Sequence, residues 1–464
     1  MDSFHQPLRI LIIGTGIAGP TLALFLLATA LPAPHKPHIT LLERSPIPRT
    51  TGQNIDIRGA GVSIIRKLGL ERAVRSHTTR EEGVQFVTSA NRIVAAGPAD
   101  KTGRVQTGTS DIEILRGTLA RLLLERCKAA SLRHAAAGGR AIEFLWGDVV
   151  ENIAQVGDVV RVTFRKTGET RDFDLVVGAD GQVSRTRAMV WGADGEDQRM
   201  NRLGIYGGFF SMPRGETDSL WRRWWRAPGR RSIMIRPGER EEQSTVFMYV
   251  IDDGDRDARL WEVAVAGQKG VEEQKKLLED YFGGAGWETG RVIKEMNEEN
   301  DFYYSVLAQV KMDRWSKGRV VLVGDAGLVP FVIILADFRL TTCSYCASPV
   351  SGMGTTLAFT GAYNLAGALT RHPNDIEAAF ALYEEKQRPN VDKAQRMPLN
   401  GRHMHLITPE TAWGVWTLHT ILALFYYSGL SQLLMYLAAK FAGPPANAVP
   451  VEDYGFEDLP EWVP

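Results

Sequence analysis

The chain of 464 residues carries 54 basic and 54 acidic side chains, so no net field draws it to nucleic acid or to an anionic membrane. At roughly 100 to 200 residues per domain, that length allows two or three lobes around an enclosed pocket, which points to a small-molecule partner. The three cysteines, Cys127, Cys343 and Cys346, are too few for the disulfide framework of a secreted protein.

Met1–Arg9 holds no charged leader before an isolated apolar stretch, so a cytoplasmic enzyme is expected. Leu8–Ile13 is an unbroken apolar run that stops at Gly14, the pattern of a strand buried on both faces of a parallel sheet. The turn Gly14-Thr-Gly16-Ile-Ala18-Gly19 follows and opens an apolar helix, with Pro20 in its first turn and Thr21–Ala30 as its body. After the loop Pro32–Pro37, His38–Glu43 reads as a second strand ending in an acid, with Arg44 beside it. In such a unit the first glycine permits the tight turn, the second lets backbone N–H groups approach a pyrophosphate, and the third allows close helix packing. The helix N-terminus adds partial positive charge, and the Glu43 carboxylate can accept both hydrogen bonds of a ribose diol. NAD and FAD both satisfy this pattern.

Further along, Ile112–Arg126 reads as an amphipathic helix and Val159–Phe164 as a strand. Phe173–Val177 is a buried strand running into Gly178-Ala-Asp180-Gly181. Between Tyr206 and Trp261 the texture changes to alternating, aromatic-rich strands such as Ser232–Ile235 and Thr245–Val250, which predicts an antiparallel substrate sheet. Trp221-Arg-Arg223-Trp-Trp225 interleaves cations with rings, but zero net charge and a strand setting argue against single-stranded nucleic acid. Arg319–Val323 is again a buried strand, followed by Gly324-Asp325-Ala326, and Thr355–Leu369 and Asp375–Arg388 read as helices. Cys343-Ser-Tyr-Cys346 has redox or half-zinc spacing, but no second pair, histidine cluster or strand-to-helix setting accompanies it. No metal site is expected.

Gly324-Asp325-Ala326, with the later Ser348-Pro-Val-Ser-Gly352-Met-Gly354-Thr355-Thr356, resembles the single-component FAD-dependent aromatic monooxygenases of the p-hydroxybenzoate hydroxylase fold. The resemblance is strongest to the branch with the tetracycline-inactivating monooxygenase and spans about residues 8 to 400. It implies that Asp325 binds the flavin ribityl chain, and that Gly352, Gly354 and Thr355 start a helix whose N-terminus points at the isoalloxazine. Unpaired N–H groups there stabilise the charge of a reduced flavin. By the same resemblance, Asp180 and Gly181 serve FAD and transient NADPH, and Arg116 contacts the FAD phosphate and ribityl region. Gln53-Asn-Ile-Asp56-Ile-Arg58 resembles the loop over the flavin, and Arg223 falls where the family has an arginine beside flavin and substrate. Arg223 is thus the candidate catalytic residue. No second Gly-rich fingerprint follows a strand, which argues against two-fingerprint Baeyer–Villiger and N-hydroxylating enzymes, and the Trp-x-Trp-x-Ile-Pro signature of flavin halogenases is missing.

Residues 331–347 separate the Gly-Asp motif from its Ser-Pro and Gly-Met-Gly partner, where the family has a short connection. The interruption is read as a translated, unspliced intron that weakens flavin binding, with a real lid or partner loop as the alternative. Trp413–Phe441 is an apolar stretch broken by Gly429, Ser431 and Gln432. It suits a helix docking the two lobes better than a membrane attachment, and Pro444–Pro464 suits a polar surface strap.

The expected fold is therefore α/β. A Rossmann-like FAD-binding domain with a parallel sheet (1–80, 110–195 and 305–400) carries an antiparallel substrate domain (81–109 and 196–304), and residues 401–464 form a C-terminal helix and tail. The expected activity is NAD(P)H- and O2-dependent oxygenation of an aromatic or polyketide-like small molecule. A flavin reductase or dehydrogenase and a non-catalytic relative stand as alternatives. Oligomeric state has no sequence signature here.

Overall fold

The computed structural model describes residues 6–48, 52–103, 108–327, 353–395, 408–429 and 449–464. The chain enters through β1 (Arg9–Ile13), α1 (Ala18–Leu27) and β2 (His38–Glu43), then β3 (Asn54–Asp56), α2 (Ala60–Lys67) and α3 (Glu71–Ser76). It crosses to a second lobe for β4 (Gly83–Val87) and β5 (Ile93–Pro98) and returns through β6 (Glu113–Leu115) and α4 (Arg116–Ala136). There follow β7 (Glu143–Trp146), β8 (Val150–Val156), β9 (Val159–Phe164), β10 (Thr170–Phe173), β11 (Leu175–Gly178), α5 (Arg185–Trp191) and α6 (Glu196–Arg199). The second lobe is completed by β12 (Met200–Pro213), β13 (Trp221–Ala227), β14 (Arg231–Pro237), β15 (Gln243–Ile251), α7 (Arg259–Ala266), α8 (Val271–Phe282), α9 (Thr289–Glu298) and β16 (Tyr303–Val310). Last come β17 (Ser316–Lys317), β18 (Val320–Leu322), α10 (Met353–Arg371), α11 (Ile376–Gln395) and α12 (Ala412–Tyr427).

The first lobe is built on a six-stranded sheet in the order β17-β18-β11-β1-β2-β7, parallel except for the β17 edge. Ile10, Leu11 and Ile12 have no exposed surface, as an apolar run in a sheet covered on both faces requires. Every residue of α1 is buried, because the helix lies between the sheet and α10. The second lobe is a seven-stranded sheet, β16-β12-β15-β14-β13-β4-β5, antiparallel except where β13 meets β4. One face packs on α8 and α9 through Trp225, Ile233, Ile235 and Met248. The other carries Trp224, Met234, Phe247 and Tyr249 and receives Leu422, Ala423 and Tyr426 of α12.

Four expectations need correction. The helix expected from Ile112 starts at Arg116, because Glu113–Leu115 pairs with Asn54–Asp56 in an antiparallel ribbon. The apolar run Phe173–Val177 divides at Asp174 into β10, which belongs to a separate three-stranded sheet, and parallel β11. A domain boundary at 305 divides β16, which lies wholly in the seven-stranded sheet. The tail 449–464 is more than a polar strap: Tyr454 and Phe456 are buried against Phe25 and Tyr363 of α1 and α10. Glu457 and Leu459 donate backbone hydrogen bonds to Ala28 and Lys67.

Among the described residues α12 rests on β5 and β13 of the substrate sheet. Its outer face leaves Trp413 73% and Tyr427 72% exposed, with Trp416, Ile421 and Leu424 between them. No described helix is long and apolar enough to cross a membrane. These two ends of the chain differ in energetic weight. Tyr454→Ala, which empties a buried ring site, is expected to cost about 3–5 kcal/mol, whereas Trp413→Ala should stay within about 0.5 kcal/mol of the parent. Denaturation midpoints of the two variants check both values.

Candidate functional site

The parallel strands deliver the three sequence motifs to one edge. Ile13 pairs with Gly178, and Gly178 pairs with Leu322, so the turns that follow β1, β11 and β18 leave the sheet side by side at its carboxyl end. Open α/β sheets bind ligands at that edge. The turns also touch. A Cβ on Gly14 would lie 2.4 Å from the Ala179 carbonyl oxygen, and one on Gly324 would lie 3.2 Å from the Ala18 Cβ and 3.6 Å from that of Ala358. Gly14 has φ +113° and Gly324 φ +62°, backbone that favours glycine. Arg187, fully buried and paired with Glu196 at 2.6 Å, donates to the Ala326 carbonyl at 2.8 Å and so ties the second motif to the third.

The glycines separate into packing and open positions. A Cβ on Gly19 would meet the Gly14 oxygen at 2.1 Å, the close helix approach expected of the third glycine. Among the described residues a Cβ on Gly16 or Gly354 would meet nothing within 4 Å, which leaves room for a pyrophosphate and an isoalloxazine to approach the backbone. Glu43, at the end of β2, accepts from the Thr15 N–H and hydroxyl at 3.1 and 2.9 Å, which fixes its carboxylate at the mouth of the turn. Arg44 beside it is exposed.

Asp325 is half-buried, and its carboxylate makes no hydrogen bond or ion pair with a described residue. Burial raises its pKa and the nearby Arg116 opposes the rise. A half-buried acceptor of this kind suits a donor such as a ribityl hydroxyl. Arg116 is exposed on the first residue of α4, with its N–H bonded to the Gln53 carbonyl at 2.9 Å. Thr355 is buried in the first turn of α10. Asp180 faces its own turn: it accepts from the Ser184 hydroxyl at 2.6 Å and from the Thr186 N–H and hydroxyl at 3.0 Å, while Gly181 beside it has φ +82°. Gly352, the 331–347 interruption, Cys343 and Cys346 lie outside the described residues. Among the described residues no group of three His, Cys, Asp or Glu is placed to hold a metal ion.

One expected site residue stands away from this edge. Strand alternation on β13 sends Arg222, Trp224 and Arg226 to the face that meets the first lobe and sends Arg223 to the other. There Arg223 is buried between Asp218 and Glu288, bonded also to Asn91 at 3.0 Å and set over the Trp287 ring at 5.2 Å. Arg223, expected as the candidate catalytic residue, ties the outer face of the sheet to the start of α9. Asp56 pairs with Arg58 at 3.3 Å and accepts from the Ser110 N–H at 3.1 Å. Arg58, then Arg236 and Arg222, hold its pKa down against burial.

Asp56 belongs to a buried ionic cluster between the lobes. Arg222 pairs with Glu81 at 2.7 Å and Glu113 at 3.5 Å, and Arg236 pairs with Glu81 at 2.8 Å and also with Glu113. Asn54 donates to Glu113 at 2.8 Å and accepts from the Thr245 hydroxyl at 2.6 Å. Burial pushes the Glu113 carboxyl up to about 7 against Arg236, with Glu81 and Asp56 adding to the rise.

Beside the cluster, the same sheet face carries a row of aligned rings that motif reading does not register. Phe247 and Phe209 stack at 4.0 Å and 3° on neighbouring strands, and Phe209 and Tyr303 stack at 5.1 Å and 12°. Tyr249 continues the row from Phe247 at 4.7 Å. The Tyr303 hydroxyl donates to the Gln53 side chain of the first lobe, so the row ends at the loop resting on Arg116.

Residues 8–329 match the family model described as an FAD binding domain. FAD-dependent monooxygenase asL6 of Sarocladium schorii is 34% identical over 92% of this chain and 95% of its own. Monooxygenase CTB7 of Cercospora beticola is 30% identical over 97% and 98%. The crystal structure of tetracycline destructase Tet(51) superposes with a TM-score of 0.67 at 27% identity, covering 97% of this chain and 100% of that one. Klebsiella pneumoniae HpxO, solved with FAD and uric acid, shares the fold at a TM-score of 0.62 and 17% identity over 96% and 100%.

The glycine contrast predicts two outcomes. Gly16→Ala should fold with an unchanged melting curve but lose at least about tenfold in FAD affinity by absorbance titration, because its methyl enters the open space. Gly19→Ala should lower the melting temperature itself, because its methyl has no room. Glu113 gives a pH test. Its folded carboxyl keeps its proton to higher pH than the unfolded chain does, so its stabilising contribution is present in acid and is lost as pH rises through about 7. Glu113→Gln should flatten the fall in melting temperature between about pH 5 and 8.

Proposed function

The chain belongs to the FAD-binding-domain monooxygenases, and on that premise we propose that it inserts one atom of O2 into a flat aromatic or enolic small molecule of the polyketide type, with NADPH as transient reductant. The ring row Tyr249–Phe247–Phe209–Tyr303, ending at the loop beside the cofactor edge, carries this reading of the substrate. Aligned rings favour an aromatic partner by geometry as well as by area. Tet(51) is a tetracycline destructase, and tetracycline is a fused-ring compound of that kind.

Bound FAD supplies the electron transfer and oxygen chemistry that no side chain provides. The polypeptide holds and encloses. The open N–H groups at Gly16 and the α1 N-terminus would take the pyrophosphate, Glu43 the adenosine ribose, Asp325 a ribityl hydroxyl, and Arg116 the phosphate and ribityl region. Gly354 and Thr355 at the start of α10 would face the isoalloxazine edge, where helix N–H groups favour negative charge. α12 covers one face of the substrate sheet with Leu422, Ala423 and Tyr426, which makes that face apolar and keeps water from it.

The test is direct. Purified full-length protein is expected to be yellow or to become so with added FAD, and a polycyclic phenol such as a hydroxyanthraquinone should stimulate NADPH oxidation with 18O2 label entering the product. NADPH oxidation without label in any product would instead support a flavin reductase.

A further inference from the structure

The proposal concerns Tyr303, which opens β16 in the substrate sheet and reaches the first lobe through its hydroxyl. Its ring is fixed by the stack on Phe209, the residue directly opposite it in the β12–β16 register. The hydroxyl then has a defined direction, toward Gln53 Oε1. Gln53 is in turn held by its backbone, whose carbonyl accepts the Arg116 N–H at 2.9 Å. Gly52 lies flat against the same helix start, since a Cβ there would come 3.3 Å from the Arg116 Cβ. Arg116 acts electrostatically on both Tyr303 and Asp325, which places the lobe contact and the cofactor edge within one field. Burial raises the Tyr303 phenol, so it remains a donor throughout the neutral range.

We propose that Tyr303 is a positioning residue for the flavin, its hydroxyl holding the Gln53 loop against Arg116 so that cofactor retention depends on the docked substrate lobe. This inference rests on the flavin reading above. The aromatic row thereby becomes a mechanical link. Phe209, stacked between Phe247 and Tyr303, sets the Tyr303 ring, and Tyr303 sets the loop beside the cofactor. The function needs a phenol, because phenylalanine preserves the stack and loses only the donor.

Tyr303→Phe, Gln53→Ala and the double variant, made in the full chain, decide the matter by FAD titration followed through quenching of flavin fluorescence. Each single variant should weaken FAD binding by about threefold to tenfold, the range of one hydrogen bond, and shift the flavin absorption maxima. The double variant should be no weaker than the poorer single one, since both remove the same contact. Wild-type affinity and spectrum in Tyr303→Phe, or effects that multiply in the double variant, overturn the inference. A wild-type chain that takes up no FAD overturns the flavin reading itself, a result separable from the first because it is seen before any substitution is made.

Discussion

The register of four parallel strands governs everything functional in this molecule. Because β18, β11, β1 and β2 align with their ends level, three turns spread over more than 300 residues of the chain share one edge with Glu43. Sheet hydrogen bonds alone would leave the turns free to splay, but the glycines forbid it. With no side chain at Gly14 and Gly19, backbone packs on backbone at distances a methyl group would prevent, and Gly324 sits against the Ala18 and Ala358 side chains. The open space at Gly16 and Gly354 gains its meaning from this contrast, since those positions are spared in an otherwise close-packed edge.

The second lobe is held to this edge by charge rather than by apolar area. Asp56, Glu81 and Glu113 face Arg58, Arg222 and Arg236 with little exposure to water. Desolvating so many charges is costly, and such a cluster contributes less to stability than to specifying one arrangement. An apolar joint would tolerate sliding, whereas these groups are matched only in one register, with Asn54 and Thr245 completing it. The consequence lies just beyond the cluster. The same docking that satisfies Glu113 brings Tyr303 to Gln53 and turns the aromatic row toward the cofactor edge.

The parts legible in the sequence were those whose chemistry is local. A tight turn demands glycine where it stands, and a strand buried on both faces demands an unbroken apolar run, so the βαβ unit and the Gly-Asp strand could be placed from composition and order. Arg223 shows where this fails. The choice between Arg222 and Arg223 depends on the parity of one strand, and a stretch reading Trp-Arg-Arg-Trp-Trp is compatible with either face. Arg116 could be found but not the start of its helix, because pairing of Glu113–Leu115 with Asn54–Asp56 overrides helical periodicity. Tyr303, Tyr454 and Phe456 carry no motif at all. Their roles arise from which element they meet, and sequence does not state that.

The interruption at 331–347 falls between Asp325 and the helix that follows, the place where the sequence reading expected most damage to the cofactor site. The packing gives a reason to weigh that expectation differently. Gly324 is seated on Ala18 and Ala358, and Ala326 is bound by Arg187, so the Asp325 turn is fixed from three directions by residues far from the interruption. The start of α10 is fixed just as independently, by the Thr356 hydroxyl donating to the Arg58 carbonyl at 2.9 Å and by Thr356 packing on Gly61. Two anchors that do not rely on their covalent connection hold their spacing whatever joins them, since loop length alters closure entropy only slowly. The positions of Asp325 and Thr355 therefore rest on these packing contacts rather than on the length of the chain between them.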